Sequence, residues 1–229
     1  FDMMTEDGFD GEGGFKRKRG GKACGKRGPG KKGAAQRIAA GEPFYHGCVR
    51  SFNVEKKHGY VACEALHAMS GQDVYAYQDV LERSKAGPAG PGDTVAFFLH
   101  WSTRGQPQAS SPLIRLAGQN AAPVFRGVYK TGNNPEKNYG FIECEDTKEF
   151  FGRDVYVNKD LAPTLQPGQQ VAFSVYLNND GMPNAKIAEP CDDTWQPVPS
   201  DLSISSAVEV EKGNKGGKGG KGGKGGEGF

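Results

Sequence analysis

The sequence predicts an all-β protein: one small module of short strands, a barrel or sandwich, written twice between arms that cannot bury a core. Three observations predict it. "KKHGYVACE" at residues 56–64 and "KNYGFIECE" at 137–145 share the form Lys-x-aromatic-Gly-aromatic-aliphatic-x-Cys-Glu, with His58 taken as the first aromatic, at an offset of 81 (Gly140 minus Gly59). "DVYAY" from Asp73 and "DVYVN" from Asp154 sit at the same offset, 154 minus 73. Two motifs sharing one offset mark an internal repeat. Third, short apolar runs lie between Gly/Pro turns such as "AGPAGPGD" and "LQPGQQ", with no stretch of helical periodicity.

The elements follow in chain order. Residues 1–42 are expected to form a disordered arm, acidic and then basic: residues 1–12 carry five acids and no base, and residues 13–41 carry ten Lys/Arg and no acid. Module one, residues 43–117, is expected to place strands near 44–52, 58–64, 73–77, 94–101 and 107–115. A short linker, "AGQNAA" from Ala117, follows. Module two, residues 123–190, is expected to place strands near 124–131, 138–144, 154–158, 170–177 and 183–188. Residues 191–229 are expected to be a disordered tail. From Lys212 onward it holds ten glycines, with Lys215, Lys218, Lys221 and Lys224 at a period of three. Glycine at that density costs too much chain entropy to order unaided. The modules themselves are close to neutral, with seven bases against six acids in 43–117 and seven against nine in 123–190. The positive charge is concentrated in the arms.

Strand alternation sorts the module residues into two faces. His58, Tyr60, Tyr75 and Tyr77 share one face in module one, against Val61, Val74 and Ala76. In module two Tyr139, Phe141, Tyr156 and Asn158 stand against Ile142, Val155 and Val157. The aliphatic set is the natural filling of a barrel, which leaves the aromatics outside as a patch on adjacent strands. Gly59 and Gly140 then face inward, where a missing side chain relieves crowding. An exposed aromatic patch calls for a reason. Base stacking supplies one, because every nucleobase has a π-face. Arg50, Lys56, Lys57, Lys130 and Lys137 stand near enough to meet phosphates. The bland alternatives are that the aromatics form the core, or that a partner domain covers them.

These residues resemble the cold-shock domain, a five-stranded barrel of the oligonucleotide-binding (OB) fold. That family reads G-x-V-K-W-F-N-x-x-K-G-F/Y-G-F-I, then D-V-F-V-H. "GCVRSFNVEKKHGYV" at 47–61 is similar without a gap, and "GVYKTGNNPEKNYGFI" at 127–142 is similar with one inserted residue. The order of the two motifs separates it from the RNA recognition motif. The resemblance covers both modules and neither arm. It implies two OB-fold barrels of cold-shock type and an RNA- or DNA-binding role in gene expression. The implied binding positions are Arg50, Phe52, His58, Tyr60, Tyr75 and Tyr77, then Lys130, Tyr139, Phe141, Tyr156 and Asn158. The chain departs from the family where its Trp is Ser51 and Thr131, where its Phe becomes Gly132, and where its His becomes Tyr77 and Asn158. Counting Phe52, module one presents up to five rings and module two three. The acidic stretch Glu143–Glu149 is expected to weaken module two further by repelling phosphate. The short linker is expected to raise the effective concentration of one module for a strand bound to the other.

The expected function is therefore binding of single-stranded RNA or DNA with low sequence specificity, as an RNA chaperone or a regulator of transcription or translation. A protein–protein adaptor using the same barrel surface is the alternative. The basic run "KRKRGGKACGKRGPGKK" at 16–32 reads as a solvated tail, a nuclear-import signal or a phosphate-binding arm, which gives cytoplasm and/or nucleus as the expected location. No apolar run has the length of a membrane span, and no signal peptide is evident. The five cysteines, at 24, 48, 63, 144 and 191, show no C-x-x-C spacing. Cys63 and Cys144 hold equivalent repeat positions and are expected to be small buried residues of a reduced protein. The histidines 46, 58, 67 and 100 have no acid or nucleophile partners at repeat-equivalent positions, so no enzyme, cofactor, metal or small-molecule substrate is expected.

Overall fold

The computed structural model describes residues 33–132 and 138–202. Lys137, the basic run 16–32 and the Lys-Gly-Gly tail lie outside them. In the first half, β1 (Phe44–Asn53), β2 (His58–Ala62), β3 (Val74–Tyr77), β4 (Thr94–Trp101) and β5 (Pro107–Ala117) close into a barrel in the order β1-β2-β3-β5-β4. In the second, β6 (Phe125–Thr131), β7 (Gly140–Glu143), β8 (Val155–Val157), β9 (Gln170–Leu177) and β10 (Pro183–Pro190) close in the order β10-β8-β7-β6-β9. The strands fall where hydrophobic alternation placed them, because closure gives each strand one inner and one outer face. Val61, Val74 and Ala76, and then Ile142, Val155 and Val157, are fully buried.

Short helices were not expected and are present: α1 (Ala34–Ala39), α2 (Glu64–Ser70), α3 (Gln78–Glu82) and α4 (Glu145–Phe151). At five to seven residues they are too short for a 3.6 period to register. Their ends do carry a signal. Gly71 and Gly152 adopt left-handed backbone (φ 69° and 73°), and each N–H donates to the carbonyl of residue 67 or 148. Those glycines again differ by 81, so the repeat extends through the helix that follows its first motif. Cys63 and Cys144 are buried as expected, each at the N-cap of that helix.

Two stretches assigned to the arms are ordered. Helix α1 buries Ala34 and packs on α4, and the Arg37 guanidinium lies 3.7 Å above the Phe98 ring while donating to Ser111 O at 2.8 Å. After β10 the chain returns to the first barrel. Arg115 donates to Val198 O (3.0 Å), Ser200 Oγ bonds to Asp93, and Leu202 packs on the core. Asp93 and Arg115 form a buried ion pair, Nε to Oδ2 3.0 Å, that the returning segment roofs. The boundaries at 42 and 191 therefore fall inside packed structure. The sequence signal was weak because the stabilising contacts are distant: Arg37 to Ser111, and Ser200 to Asp93.

The barrels also share a core. Ala96, Phe98, Ile114 and Leu116, on the outside of β4 and β5, belong to one buried cluster with Phe150, Phe151 and the core of the second barrel. Phe44 meets Phe98, Phe150 and Phe151 at centroid distances of 6.0–6.4 Å. Burial of this many rings joins the barrels by packing, beyond the raised effective concentration expected from the short linker.

Candidate nucleic-acid interface

The outer faces of β2–β3 and β7–β8 each carry a ring trio, and the trios have one geometry. In the first barrel His58 stacks on Tyr75 (4.7 Å, 21°), and Tyr60 stands edge-on to both (5.6 and 5.8 Å). In the second Tyr139 stacks on Tyr156 (6.0 Å, 23°), and Phe141 stands edge-on to both (5.7 and 5.9 Å). Strand register produces this: Tyr60 pairs with Tyr75 and His58 with Tyr77, while Phe141 pairs with Tyr156. The first barrel adds Tyr77, 47% exposed and edge-on to Tyr75 at 4.8 Å. Burial, and then the neighbouring Tyr77 and Tyr60, push the Tyr75 hydroxyl pKa above its usual value.

Asn158 stands where Tyr77 does, but its Oδ1 accepts from the N–H groups of Asp160 and Leu161 (3.0 and 3.1 Å). It caps the turn after β8. Two hollows flank Tyr156. One, of about 590 Å³, is lined by Phe141, Tyr156, Met182 and Asn184; the other, of about 600 Å³, by Tyr139, Tyr156, Asn158 and Lys159.

Phe52 is not part of the platform. It is 3% exposed and belongs to the first barrel's core. A β-bulge at Arg50 explains the error: Val49 pairs with Val61 and Ser51 with Tyr60, so one extra residue flips the alternation and turns Phe52 inward opposite Gly59. A Cβ on Gly59 would stand 3.2 Å from the Phe52 ring. The sequence also hid Tyr129, which is 2% exposed and whose ring lies over Gly140. Burial raises the pKa of its hydroxyl.

The cations divide into free and engaged. Lys56 and Lys57 sit exposed in the β1–β2 turn, and among the described residues neither meets a carboxylate. Arg50 pairs with Asp73 (3.1 Å). Lys130 pairs with Glu143, which holds that carboxyl below the usual range and raises the Lys130 ammonium pKa; Lys148 adds a 3.4 Å contact to Glu143. Glu149 pairs with Lys85 of the first barrel (2.5 Å). Two of the four carboxylates in the stretch 143–149, Glu143 and Glu149, are thus paired in place, so it repels phosphate less than its sequence suggested.

Each row of paired residues continues past the trio to residues not singled out from sequence. Ser51–Tyr60–Tyr75–Gln108–His100 crosses the first barrel, and Lys130–Phe141–Tyr156–Asn184–Tyr176 the second. Alternation along β4 and β9 (Ala96, Phe98, His100; Ala172, Ser174, Tyr176) contained that signal.

Closed five-stranded barrels that present a ring platform on two neighbouring outer strand faces define the class: small β-barrels of the oligonucleotide-binding fold. No protein-family profile matches the chain. Among curated proteins it is similar to the cold shock protein CspB of Bacillus caldolyticus (36% identical over 64 residues, 28% of this chain and 96% of that one). The cold shock-like protein CspB of Bacillus cereus is 34% identical over 65 residues, 28% of this chain and 98% of that one. This chain belongs to the cold-shock protein family. Solved structures similar to it include a multidomain protein with nucleic acid binding domains from Streptococcus pneumoniae TIGR4 and Drosophila Unr CSD456. Each is 14% identical with a TM-score of 0.24; the matches cover 65% and 68% of this chain, and 46% and 65% of theirs. Among the described residues no helix is long and apolar enough to cross a membrane, and no group of three or more His, Cys, Asp and Glu is placed to hold a metal.

Proposed function

We propose that this protein binds single-stranded nucleic acid, mainly RNA, with low sequence specificity, and acts as an RNA chaperone or a regulator of transcription or translation in the cytoplasm and/or nucleus. Membership of the cold-shock family supports nucleic-acid binding in general. The observation that carries the finer reading is the recurrence of one trio geometry, a stacked pair with an edge-on third ring, on equivalent outer faces of both barrels. A core-packing role would not place a half-buried ring trio on the outer face twice. Stacking on such faces is tolerant of sequence and gains about 1–3 kcal/mol per base. Phosphates then fall to Lys56 and Lys57 in the described region, and to the basic run 16–32, whose composition resembles a nuclear-import signal.

The test is titration of the full chain with one mixed sequence as single-stranded RNA, single-stranded DNA and duplex, after a high-salt wash monitored at 260 nm. Binding is expected for both single strands, tighter for RNA, with the duplex weakest. A preparation free of nucleic acid that binds no strand but retains a bound polypeptide would favour the adaptor reading.

A further inference from the structure

Tyr176 is exposed to the same degree as a residue of the trio, 40% against 37% for Tyr156. Backbone pairing fixes its direction. Tyr156 pairs with Asn184, and Asn184 with Tyr176, so the three side chains leave the sheet on one face. Two strand spacings separate the Cα atoms of Tyr156 and Tyr176, about 10 Å. That span suits a neighbouring nucleotide: Asn184 lies between the rings, with its Nδ2 held by Met182 O at 2.9 Å. The roughly 590 Å³ hollow lined by Phe141, Tyr156, Met182 and Asn184 opens on the same side.

What surrounds Tyr176 explains why a ring here is conspicuous. The two preceding outward residues of β9, Ala172 and Ser174, are 3% and 0% exposed, and β9 packs on β5 of the first barrel. The outer face of β9 is therefore consumed by the seam up to Ser174, and Tyr176 is the first residue to emerge. Packing between the barrels would have favoured burying the ring. The first barrel repeats the plan. Ala96 and Phe98 are buried outside β4, and the next outward residue, His100, emerges exposed in the row with Tyr75 and Gln108.

We propose that Tyr176 is a further nucleobase-stacking residue, which lengthens the second barrel's platform by one nucleotide toward the seam; His100 holds the corresponding place in the first. The inference rests on the single-strand reading above. It makes the second barrel's platform a track of four rings, Tyr139, Phe141, Tyr156 and Tyr176.

The test is length dependence. The full chain is titrated at fixed salt with oligouridines from four to twelve nucleotides, as wild type, Y176L and Y176W, with F141A alongside. Leucine keeps an apolar side chain at this exposed position and removes the π-face. Y176L is expected to match wild type on the shortest strand bound and to fall about five- to a hundredfold behind once the strand is long enough to reach residue 176. Y176W is expected to keep the increment, and F141A to lose affinity at every length. Y176L equal to wild type at all lengths, with F141A impaired, overturns the role of Tyr176 and leaves the platform reading standing. No binding of any strand by wild type overturns both.

Discussion

The two barrels roof the same inward glycine with different rings. In the first, Phe52 stands directly opposite Gly59 because the bulge at Arg50 turns it inward. In the second, β6 runs without a bulge, and Tyr129, paired with Ile142, reaches diagonally over Gly140. Position 132 is then glycine, and a Cβ there would collide with the Tyr139 ring. What aligns as loss of a stacking Phe at Gly132 is a core ring supplied from another position, and a space cleared so that Tyr139 can join the platform. Motif alignment fixes backbone positions; strand register decides which ring is core and which is platform. The ring count therefore shrinks from five against three to four against three, before Tyr176 and His100 are considered.

The largest effect expected from this comparison is on stability. Phe52→Ala and Tyr129→Ala each remove a buried ring and should cost about 3–5 kcal/mol in denaturant unfolding. Normal stability in Phe52→Ala would return that ring to the platform. Next comes binding. Tyr60→Ala with Tyr75→Ala, and separately Phe141→Ala with Tyr156→Ala, should each weaken single-strand affinity by about 1–3 kcal/mol per lost stacking position while the fold persists. The first pair should cost more, because Tyr75 also supports His58 and Tyr77. Equal losses would mean ring number does not rank the barrels. Both pairs are measured in the full chain, since an isolated module would expose Phe98 or Phe150.

A smaller effect should come from Glu143→Gln, which releases Lys130 for phosphate. Affinity should rise, and the slope of log K against log salt should steepen by about 0.7, one phosphate's worth on a single strand. An unchanged slope would show that Lys130 does not face the strand. The pH dependence has the same root. The Glu143 pKa is lowered by Lys130, so the pair holds above the ordinary carboxylate range and is lost only as pH falls through the lowered value. Mild acid should therefore not free Lys130. The smallest effect belongs to the seam's surface pair. Lys85→Ala should change stability by about 0–1 kcal/mol, because the pair is solvent-exposed and the buried rings around it hold the barrels together. A larger loss would assign the seam to charge rather than to packing.

The strands and most of the platform were legible because both depend on local alternation: Tyr60 and Val61 announce opposite faces wherever the rest of the chain goes. Phe52 is not legible as a core ring because a bulge adds one residue without any mark in the residue types around it. Tyr129 is not legible either, because its role depends on a diagonal reach to Gly140. The seam was invisible for a related reason. Ala96, Phe98, Ile114 and Leu116 read as ordinary strand apolars, and only closure of the barrel shows that their side chains leave it. Helix α1 and the returning segment rest on hydrogen-bond partners 74 and 107 residues away, beyond any local pattern.

The segment that roofs Asp93 and Arg115 sets an order of events during synthesis. A growing chain delivers residues 43–117 first, and domains generally begin to fold as they emerge. Here the buried pair stays unsealed until Ser200 arrives, 85 residues after Arg115 (200 minus 115). At 5–20 residues per second that is a wait of roughly 4–17 s. Helix α1 waits likewise for α4. The barrel made first is the barrel completed last, and its ion pair stays open to water until the other barrel has been built.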